Sequence, residues 1–179
     1  MRKVLYIFGL LTDADVEWMA RTGQRRWVEA GEVLIHEGKH VDAMILVLDG
    51  EFVVSVRGVG EVSRLGVGEV VGELSFVDSA PPSATVSANA RTLALFIDKR
   101  QLTRKLESDI GFGYRFYRAL AVFLADRLRG ADRRLAYGQT QSLRGEEILE
   151  DELDLGILDN LSMAGERFNK MLKQLSAGA

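Results

Sequence analysis

Cysteine is absent from the 179 residues, and proline occurs only twice. A chain without thiols can form neither a disulfide framework nor a thiolate metal site. Two prolines beside eighteen glycines leave the tight turns to glycine, as a strand-rich fold requires. The composition therefore indicates a globular protein of a reducing compartment, and we expect it to be cytoplasmic.

Long apolar runs and an excess of positive charge are missing as well. No stretch approaches the roughly 20 apolar residues that would span a bilayer. The net charge of -3 argues against a protein that coats nucleic acid or an anionic membrane. The first eleven residues superficially resemble a signal peptide, but Gly9 interrupts their short apolar stretch and no small-residue cleavage site follows. We therefore expect neither membrane insertion nor secretion.

The spacing of apolar residues divides the chain into three parts. Residues 1 to about 30 are helical in pattern, and Gly23 is a plausible stop for a first helix. From residue 31 to about residue 96 the period changes to two, and glycine-marked turns separate short strands. Such strands are typical of an antiparallel sandwich or roll. From about residue 98 the period returns to that of a helix.

A long helix is predicted from Tyr114 to Tyr137, after a break at Gly111 and Gly113. An apolar seam near heptad spacing runs along it and consists of Tyr117, Leu120, Leu124, Leu128, Ala131 and Leu135. Such a helix would be roughly 36 Å long, longer than a small roll can cover. We therefore expect a homodimer that pairs through this helix; the alternative is a stripe that packs only inside its own chain.

An acidic tail follows the helix. We divide the chain into residues 1–137, a β-roll with flanking helices, and residues 138–179, an acidic linker with a short amphipathic helix from about Leu161 to Leu175. Residues 114–134 carry six arginines against two aspartates, whereas the chain from residue 139 onward carries eight acidic and four basic side chains. These charges predict that the tail docks on the long helix or binds a protein partner. No basic recognition helix follows, so we expect no DNA binding.

The segment from Gly72 to Phe76 has the features of an anion site. Gly72 allows a close backbone approach to a ligand, and Glu73 to Phe76 can form a short helix. The free amides at the start of a helix attract an anion such as phosphate. The small residues Ser83 and Ala84 begin the strand that would face this cradle.

Three segments in order resemble the cyclic-nucleotide-binding domain family, which includes the bacterial catabolite activator protein. They are residues 31–38, residues 44–54, and residues 72–76 followed by 81–86; the resemblance covers roughly residues 10–137. It implies a mainly β fold with flanking helices, an antiparallel, jelly-roll-like β-roll followed by a long C-terminal helix and a short helical tail. It also implies a stand-alone regulatory module that lacks the winged helix-turn-helix.

The resemblance further implies a ligand, cyclic AMP or cyclic GMP. Glu73 would hold the ribose hydroxyl, the amides near Leu74 and Ser75 would hold the cyclic phosphate, and Thr85 would line the base pocket. The binding residues that the resemblance assigns are Gly72, Glu73, Leu74, Ser75, Pro82, Ser83, Ala84 and Thr85.

One position departs from the family pattern. Where the nucleotide binders of the family place an arginine, this sequence has Pro82, which brings neither charge nor amide donor. Loss of a charge-assisted hydrogen bond would weaken phosphate binding by about one to two decades, unless Arg64 or Arg91 substitutes. Two functions follow: a sensor of a cyclic nucleotide or related small anion that shifts the long helix, or a ligand-free dimerisation or assembly adaptor.

No arrangement of residues predicts an enzyme. His36 and His40 match the H-E-x-x-H zinc pattern, but Gly38 sits between them and strands flank the segment. The zinc chemistry needs both histidines on one helical face. We therefore expect a turn at this segment, no metal site and no catalytic site.

Overall fold

A computed structural model describes residues 8–78, 80–136 and 155–177. Residues 8–10 are helical, and the helices bounded within the described ranges are α1 (Asp13–Thr22), α2 (Lys99–Ser108), α3 (Ile110–Ala136) and α4 (Leu155–Ala177). The strands are β1 (Gln24–Val28), β2 (Val33–Ile35), β3 (Ala43–Asp49), β4 (Phe52–Val56), β5 (Gly60–Leu65), β6 (Val70–Val71), β7 (Thr85–Ala88) and β8 (Thr92–Asp98). A 3-10 helix, Glu73–Phe76, follows β6.

The strands form two four-stranded sheets that pack face to face. One sheet has the order β1-β8-β3-β6 and the other the order β2-β7-β4-β5, and their paired strands run antiparallel. This confirms the predicted antiparallel β-roll with flanking helices. Sequential hairpins supply only part of the pairing, because β7 and β8 return to pair with early strands far away in the sequence.

Strand β3 separates two hydrophobic cores. Its residues Met44, Leu46 and Leu48 face a core shared with the helices, where Phe112, Phe116 and Phe168 also lie. Its alternate residues Ile45 and Val47 face a second core between the two sheets. Side chains of a strand point alternately to its two faces, so a strand buried on both faces must be apolar throughout. This explains the continuous run Met44 to Leu48.

Helix α1 begins and ends at the positions that the sequence indicates, but the segment after it is a strand. Thr12 caps the helix in a reciprocal capping box with Asp15, and the amide of Gly23 donates to the Met19 carbonyl. Residues 24–28 then pair with β8 as strand β1, whereas the sequence pattern assigned them to the helical part. Four of these five residues are not buried, so the strand shows no apolar alternation.

The long helix begins earlier than predicted. Helix α3 starts at Ile110 and includes Gly111 and Gly113, where the sequence predicted a break. The break lies instead at Asp109, whose carboxylate accepts a hydrogen bond from the Phe112 amide at 2.9 Å. A side chain at Gly113 would lie 3.1 Å from the Leu106 carbonyl oxygen. Glycine therefore serves there for close packing of α3 against α2.

The apolar seam of α3 is divided between the core and the surface. Leu120 is buried and packs inside with Phe112, Phe116, Ala119 and Phe123. Tyr117 is 47% exposed and Leu128 is 63% exposed. The inward stripe thus belongs to the chain's own core, while an outward apolar stripe stays uncovered within the described part of this chain. The predicted seam residues Ala131 and Leu135 lie outside the described side chains.

Helix α4 docks on α1 and the adjoining core. Ala164 and Met171 are fully buried, and the rings of Phe8 and Phe168 meet edge to face at 5.6 Å. The ion pair between Arg167 and Asp13, 2.7 Å from Nε to Oδ1, joins a basic tail residue to an acidic residue of α1. The sequence predicted the opposite arrangement, an acidic tail on the arginines of the long helix. The acids from Glu146 to Asp154 lie outside the described residues, so their docking stays a prediction, as does a domain boundary at residue 137.

None of the helices in the described ranges combines the length and apolarity that crossing a membrane requires.

Candidate functional site

The two segments of the predicted site meet at one cavity of about 290 Å³. Six of the eight predicted residues line it: Gly72, Glu73, Leu74, Pro82, Ser83 and Ala84. The side chain of Ser75 lies outside the described residues, although its backbone is part of the 3-10 helix. Thr85 does not line the cavity. Its hydroxyl instead accepts a hydrogen bond from the amide of Glu37 at 3.2 Å.

The floor of the cavity is a row of aliphatic side chains that the sequence reasoning did not assign to the site. In the sheet register Val86 pairs with Ile35 on one side and with Val54 on the other, so the three side chains form one cross-strand row. Val41 and Val71 complete the apolar lining. The period-two pattern marked these strands, but it could not show that one end of the inter-sheet core opens to a cavity.

Gly72 fixes the first wall against β3. Its backbone adopts a left-handed conformation with φ of 83°, which glycine tolerates better than other residues. A side chain at this position would lie 2.5 Å from the carbonyl oxygen of Ala43 and 3.3 Å from Val41. The close approach that requires glycine is therefore to the chain's own backbone, while the same turn directs the following 3-10 helix along the cavity.

The second wall is held by a neighbouring turn. The amide of Gly38 donates to the carbonyl of Pro82 at 2.8 Å, and the Thr85 hydroxyl bond lies three residues further on. The Gly38–Pro82 bond and the Glu37–Thr85 bond together hold the segment 82–85 against the turn that follows β2. Because the turn Glu37–Lys39 is not helical, His36 and His40 do not share a helical face, as the sequence reasoning expected. Among the described residues no group of three or more His, Asp or Glu could hold a metal ion.

The charges around the cavity are of one sign. Glu73 lines it and is 2% exposed, and Asp78 lines it at an exposed position. None of the described lining residues is lysine, arginine or histidine. The whole sequence from residue 66 to residue 90 contains none of these three residue types, so every charged side chain in this segment is acidic.

The two arginines that could have replaced the missing cation are engaged elsewhere. Arg64 contacts Glu61 at 2.6 Å and Glu51 at 2.9 Å, and its hydrogen bond lowers the pKa of the Glu61 carboxyl. Arg91 stacks over the ring of Trp27 at 4.2 Å. Neither arginine lines the cavity. The structure thus supplies no described substitute for the cation that Pro82 removes.

The 3-10 helix connects the cavity to the long helix. Leu74 lines the cavity, and two residues later Phe76 meets the ring of Phe116 on α3 at 5.9 Å. Phe116 in turn stacks on Phe112 at 5.9 Å. A displacement of the 3-10 helix would therefore also shift the first turns of α3, because the aromatic rings that join them are closely packed.

Comparison with known proteins gives the same family as the resemblance. The sequence model described as cyclic nucleotide-binding domain matches residues 25–109. A putative potassium channel protein of Rhodopseudomonas palustris is 32% identical over 98 residues, which are 54% of this chain and 24% of that protein. A cAMP-dependent protein kinase regulatory subunit of Eremothecium gossypii is 32% identical over 96 residues, which are 54% of this chain and 21% of that protein. The matches thus span about a quarter or less of these relatives.

A solved structure gives the same fold. The cyclic nucleotide-binding domain from Methylobacillus flagellatus superposes with a TM-score of 0.68 at 23% identity, covering 78% of this chain and 84% of that one. Residues 25–109 therefore match the sequence model of the cyclic nucleotide-binding domain, and the described chain shares the fold of this solved domain.

Proposed function

We propose that this chain is a ligand-sensing regulatory module in which a small molecule fills the cavity and acts on the long helix. The observation that carries the proposal is the continuous path from the cavity through Leu74 and Phe76 to Phe116. A ligand biases a conformational equilibrium only if it contacts the two states differently. The 3-10 helix is the element through which such a difference reaches α3.

The cyclic nucleotide implied by the resemblance is one candidate occupant. The kinase regulatory subunit among the relatives is cAMP-dependent by its name, and the regulatory domain of a Toxoplasma gondii kinase with the same fold was crystallised with cAMP. The resemblance assigns Glu73 and Ser83 to the nucleotide, and both residues line the cavity. The lining of the cavity lacks a described cation, so the wild-type chain is expected to bind cyclic nucleotides weakly.

Thermal shift with a ligand panel tests the sensing function. The panel contains cyclic mononucleotides, cyclic dinucleotides and uncharged compounds with an apolar body. At least one compound is expected to raise the Tm saturably, because a ligand that binds only the folded state stabilises it. The response should vanish in Ala84→Trp, which fills the cavity, and persist in Val59→Trp, whose side chain lies on an exposed turn. A wild-type protein with no response across the panel would contradict sensing.

A ligand-free assembly adaptor is the second candidate, and the exposed stripe of α3 favours it. Ile110, Tyr114, Tyr117 and Leu128 are between 47% and 85% exposed, and with Ala121 and Leu124 they follow steps of four and three residues. This is the heptad spacing of a helix that pairs with another helix. We infer a homodimer through this stripe, whether or not the cavity binds a ligand.

A further inference from the structure

A second cavity, of about 520 Å³, lies at the edges of the two sheets. Strands β1 and β2, each at the end of its sheet, line it together with residues 40–43 and the start of α2. We name it the edge cavity, to keep it apart from the cavity at Gly72. We propose that the edge cavity binds an organic cation, a molecule with a flat apolar body and an ammonium group. The inference does not depend on a ligand in the cavity at Gly72.

The floor of the edge cavity is apolar. In the sheet register Phe96 pairs with Gln24 on one side and with Ile45 on the other, so these side chains form one cross-strand row. Leu34 of the facing sheet and Val41 add apolar walls. Phe96 is only partly buried, and the volume lies within the range of about 300–1,000 Å³ that is common for small-molecule sites. A flat apolar body would therefore cover apolar surface that this chain leaves open.

The rim of the edge cavity carries two acidic side chains. Asp42 and Asp98 both line the cavity, and none of its described lining residues is lysine or arginine. The two aspartates lie side by side in the backbone, because the amide of Lys99 donates to the Asp42 carbonyl at 2.8 Å. The amide of Gln101 donates to the Asp98 carboxylate and lowers its pKa, so Asp98 is ionised at neutral pH. The rim therefore attracts a positive charge.

Both carboxylates can accept a further hydrogen bond. Asp42 is exposed, and its carboxylate has no hydrogen-bond donor within the described ranges. Oδ1 of Asp98 accepts the amides of Arg100 and Gln101. Oδ2 of Asp98 meets the Arg100 guanidinium at 3.6 Å, which is beyond hydrogen-bond distance. A carboxylate offers about four acceptor positions, and an ammonium group brings three donors, so an ammonium group suits this pair.

The basic side chains near the edge cavity are engaged outside it. Arg26 lies over the ring of Phe96 at 4.5 Å, but it forms an ion pair with Glu32 at 2.7 Å. The ammonium of Lys99 lies over the ring of Phe76 at 5.5 Å. A cationic ligand would therefore reach the rim without displacing either of these groups.

Val41 connects the edge cavity to the cavity at Gly72. Its side chain lines both, and a side chain added at Gly72 would lie 3.3 Å from it, so Val41 packs on the Gly72 backbone. Because such contacts are closely packed, an occupant of the edge cavity that moves Val41 also moves the start of the 3-10 helix. The edge cavity is thereby placed to regulate the first cavity.

Three probes with the same indole body and different charge test the inference on the full chain. Tryptamine is cationic, tryptophol is neutral and indole-3-propionate is anionic. Backbone amide signals are followed by NMR at about pH 7.5, where an ordinary histidine side chain is mainly uncharged, because His40 also lines the edge cavity. Tryptamine is expected to shift residues 40–45 and 96–101 saturably and to bind at least about threefold more tightly than tryptophol. Indole-3-propionate should bind more weakly than tryptophol.

Substitutions on α2 locate the binding. Gln101 is exposed and lines the edge cavity, so Gln101→Trp should fill its mouth and abolish the saturable shifts. Arg104→Trp is the matched control, because Arg104 is exposed on the same helix and does not line the cavity. Binding of tryptamine that persists in Gln101→Trp, or no saturable shift in the wild-type chain, would overturn the site.

Removal of one acid tests the class of ligand. Asp42→Asn should weaken tryptamine binding by about two- to fivefold and leave tryptophol unchanged, whereas Asp49→Asn, at the exposed far end of β3, should change neither. Equal affinities of tryptamine and tryptophol in the wild-type chain would overturn the cationic class. The Gly72 amide should also shift with tryptamine, and less so in Val41→Ala; an unmoved Gly72 amide would overturn the link through Val41. None of these outcomes decides the sensing function, which the thermal panel tests separately.

Discussion

Pro82 is the residue at which one substitution would bring a positive charge to the cavity wall. The Pro82→Arg variant keeps the carbonyl that accepts the Gly38 amide and adds a guanidinium at the position where the nucleotide binders of the family carry theirs. A charge-assisted hydrogen bond to phosphate should strengthen cyclic AMP binding by about tenfold or more, measured by isothermal titration calorimetry. Pro82→Gln is the matched control, with a polar side chain but no charge. Equal affinities of the two variants for cyclic AMP would show that the phosphate of a bound nucleotide does not lie near residue 82.

Asp15 is the most deeply buried acid paired with an arginine in the described part of the chain. Its side chain is 4% exposed, and Arg115 of α3 holds it by hydrogen bonds of 2.7 Å and 2.9 Å. Burial raises the pKa of Asp15, but the hydrogen bonds from Arg115 and Thr12 outweigh burial and leave the pKa below its ordinary value of 3.8. The pair thereby joins α1 to α3.

The Asp15 pair predicts a defined pH dependence of stability. Because the folded-state pKa is lowered, the ion pair stabilises the fold fully above the unfolded-state pKa and is lost as the pH falls through the folded-state value. Asp15→Asn should therefore lower the free energy of unfolding by about 2 kcal/mol at pH 7 and by less at pH 3, which lies below the unfolded-state pKa. Urea unfolding at both pH values measures this, with Glu17→Gln on the exposed side of α1 as the control. A loss that is the same at both pH values would contradict the ionic role.

At the scale of elements, the exposed stripe of α3 predicts how two chains pair. Leu128→Glu places a charge in the middle of an apolar helix contact, which should dissociate the dimer. Sizing chromatography with light scattering should give a dimer for the wild-type chain and a monomer for Leu128→Glu. Val59→Glu, an exposed apolar residue outside the stripe, should stay dimeric. A wild-type monomer at micromolar concentration would contradict the inferred pairing.

The elements also show what the sequence can predict. Alternation and glycine-marked turns predicted short strands between residues 31 and 96, where β2, β3, β4, β7 and β8 lie, because these strands bury at least one apolar face. Strand β1 was wrongly assigned to the helical part because its arginines lie on an exposed edge of the sheet, where backbone pairing with β8 rather than side-chain burial defines the strand. Strand β5 shows equally little apolar alternation, since only Leu65 of its six residues is buried.

The two walls of the site were predicted from the sequence, and its aliphatic floor was missed. The glycine at residue 72 and the small residues at 83 and 84 marked the two walls, because they mark close backbone packing. Ile35, Val54 and Val86 carry no such mark, since an aliphatic residue that lines a cavity has the same pattern as one that fills a core. Their place at one cavity follows only from the register of β2, β7 and β4.

At the scale of the whole molecule, α4 closes the fold through an apolar face. Phe168 is 8% exposed. The substitution Phe168→Ala should therefore lower the free energy of unfolding by about 3 kcal/mol and speed the hydrogen exchange of residues 155–177. The control is Met163→Ala on the same helix, where 43% exposure predicts a loss of less than about 0.5 kcal/mol.

Salt separates apolar docking of α4 from docking by charge. Because apolar burial is not screened, raising the salt concentration alone should leave the exchange of α4 nearly unchanged, although it weakens the exposed pair of Asp13 and Lys170. Release of the helix by salt with little effect of Phe168→Ala would contradict this account.

The coupling of the cavity to the long helix is tested most directly by hydrogen–deuterium exchange of the wild-type chain with and without a saturating concentration of the panel compound that raises the Tm most. The account predicts protection in residues 72–86 together with a changed exchange rate in residues 110–120, where Phe112 and Phe116 receive the contact of Phe76. Protection confined to residues 72–86 would contradict the coupling, and unchanged exchange in both segments would contradict ligand binding in the cavity.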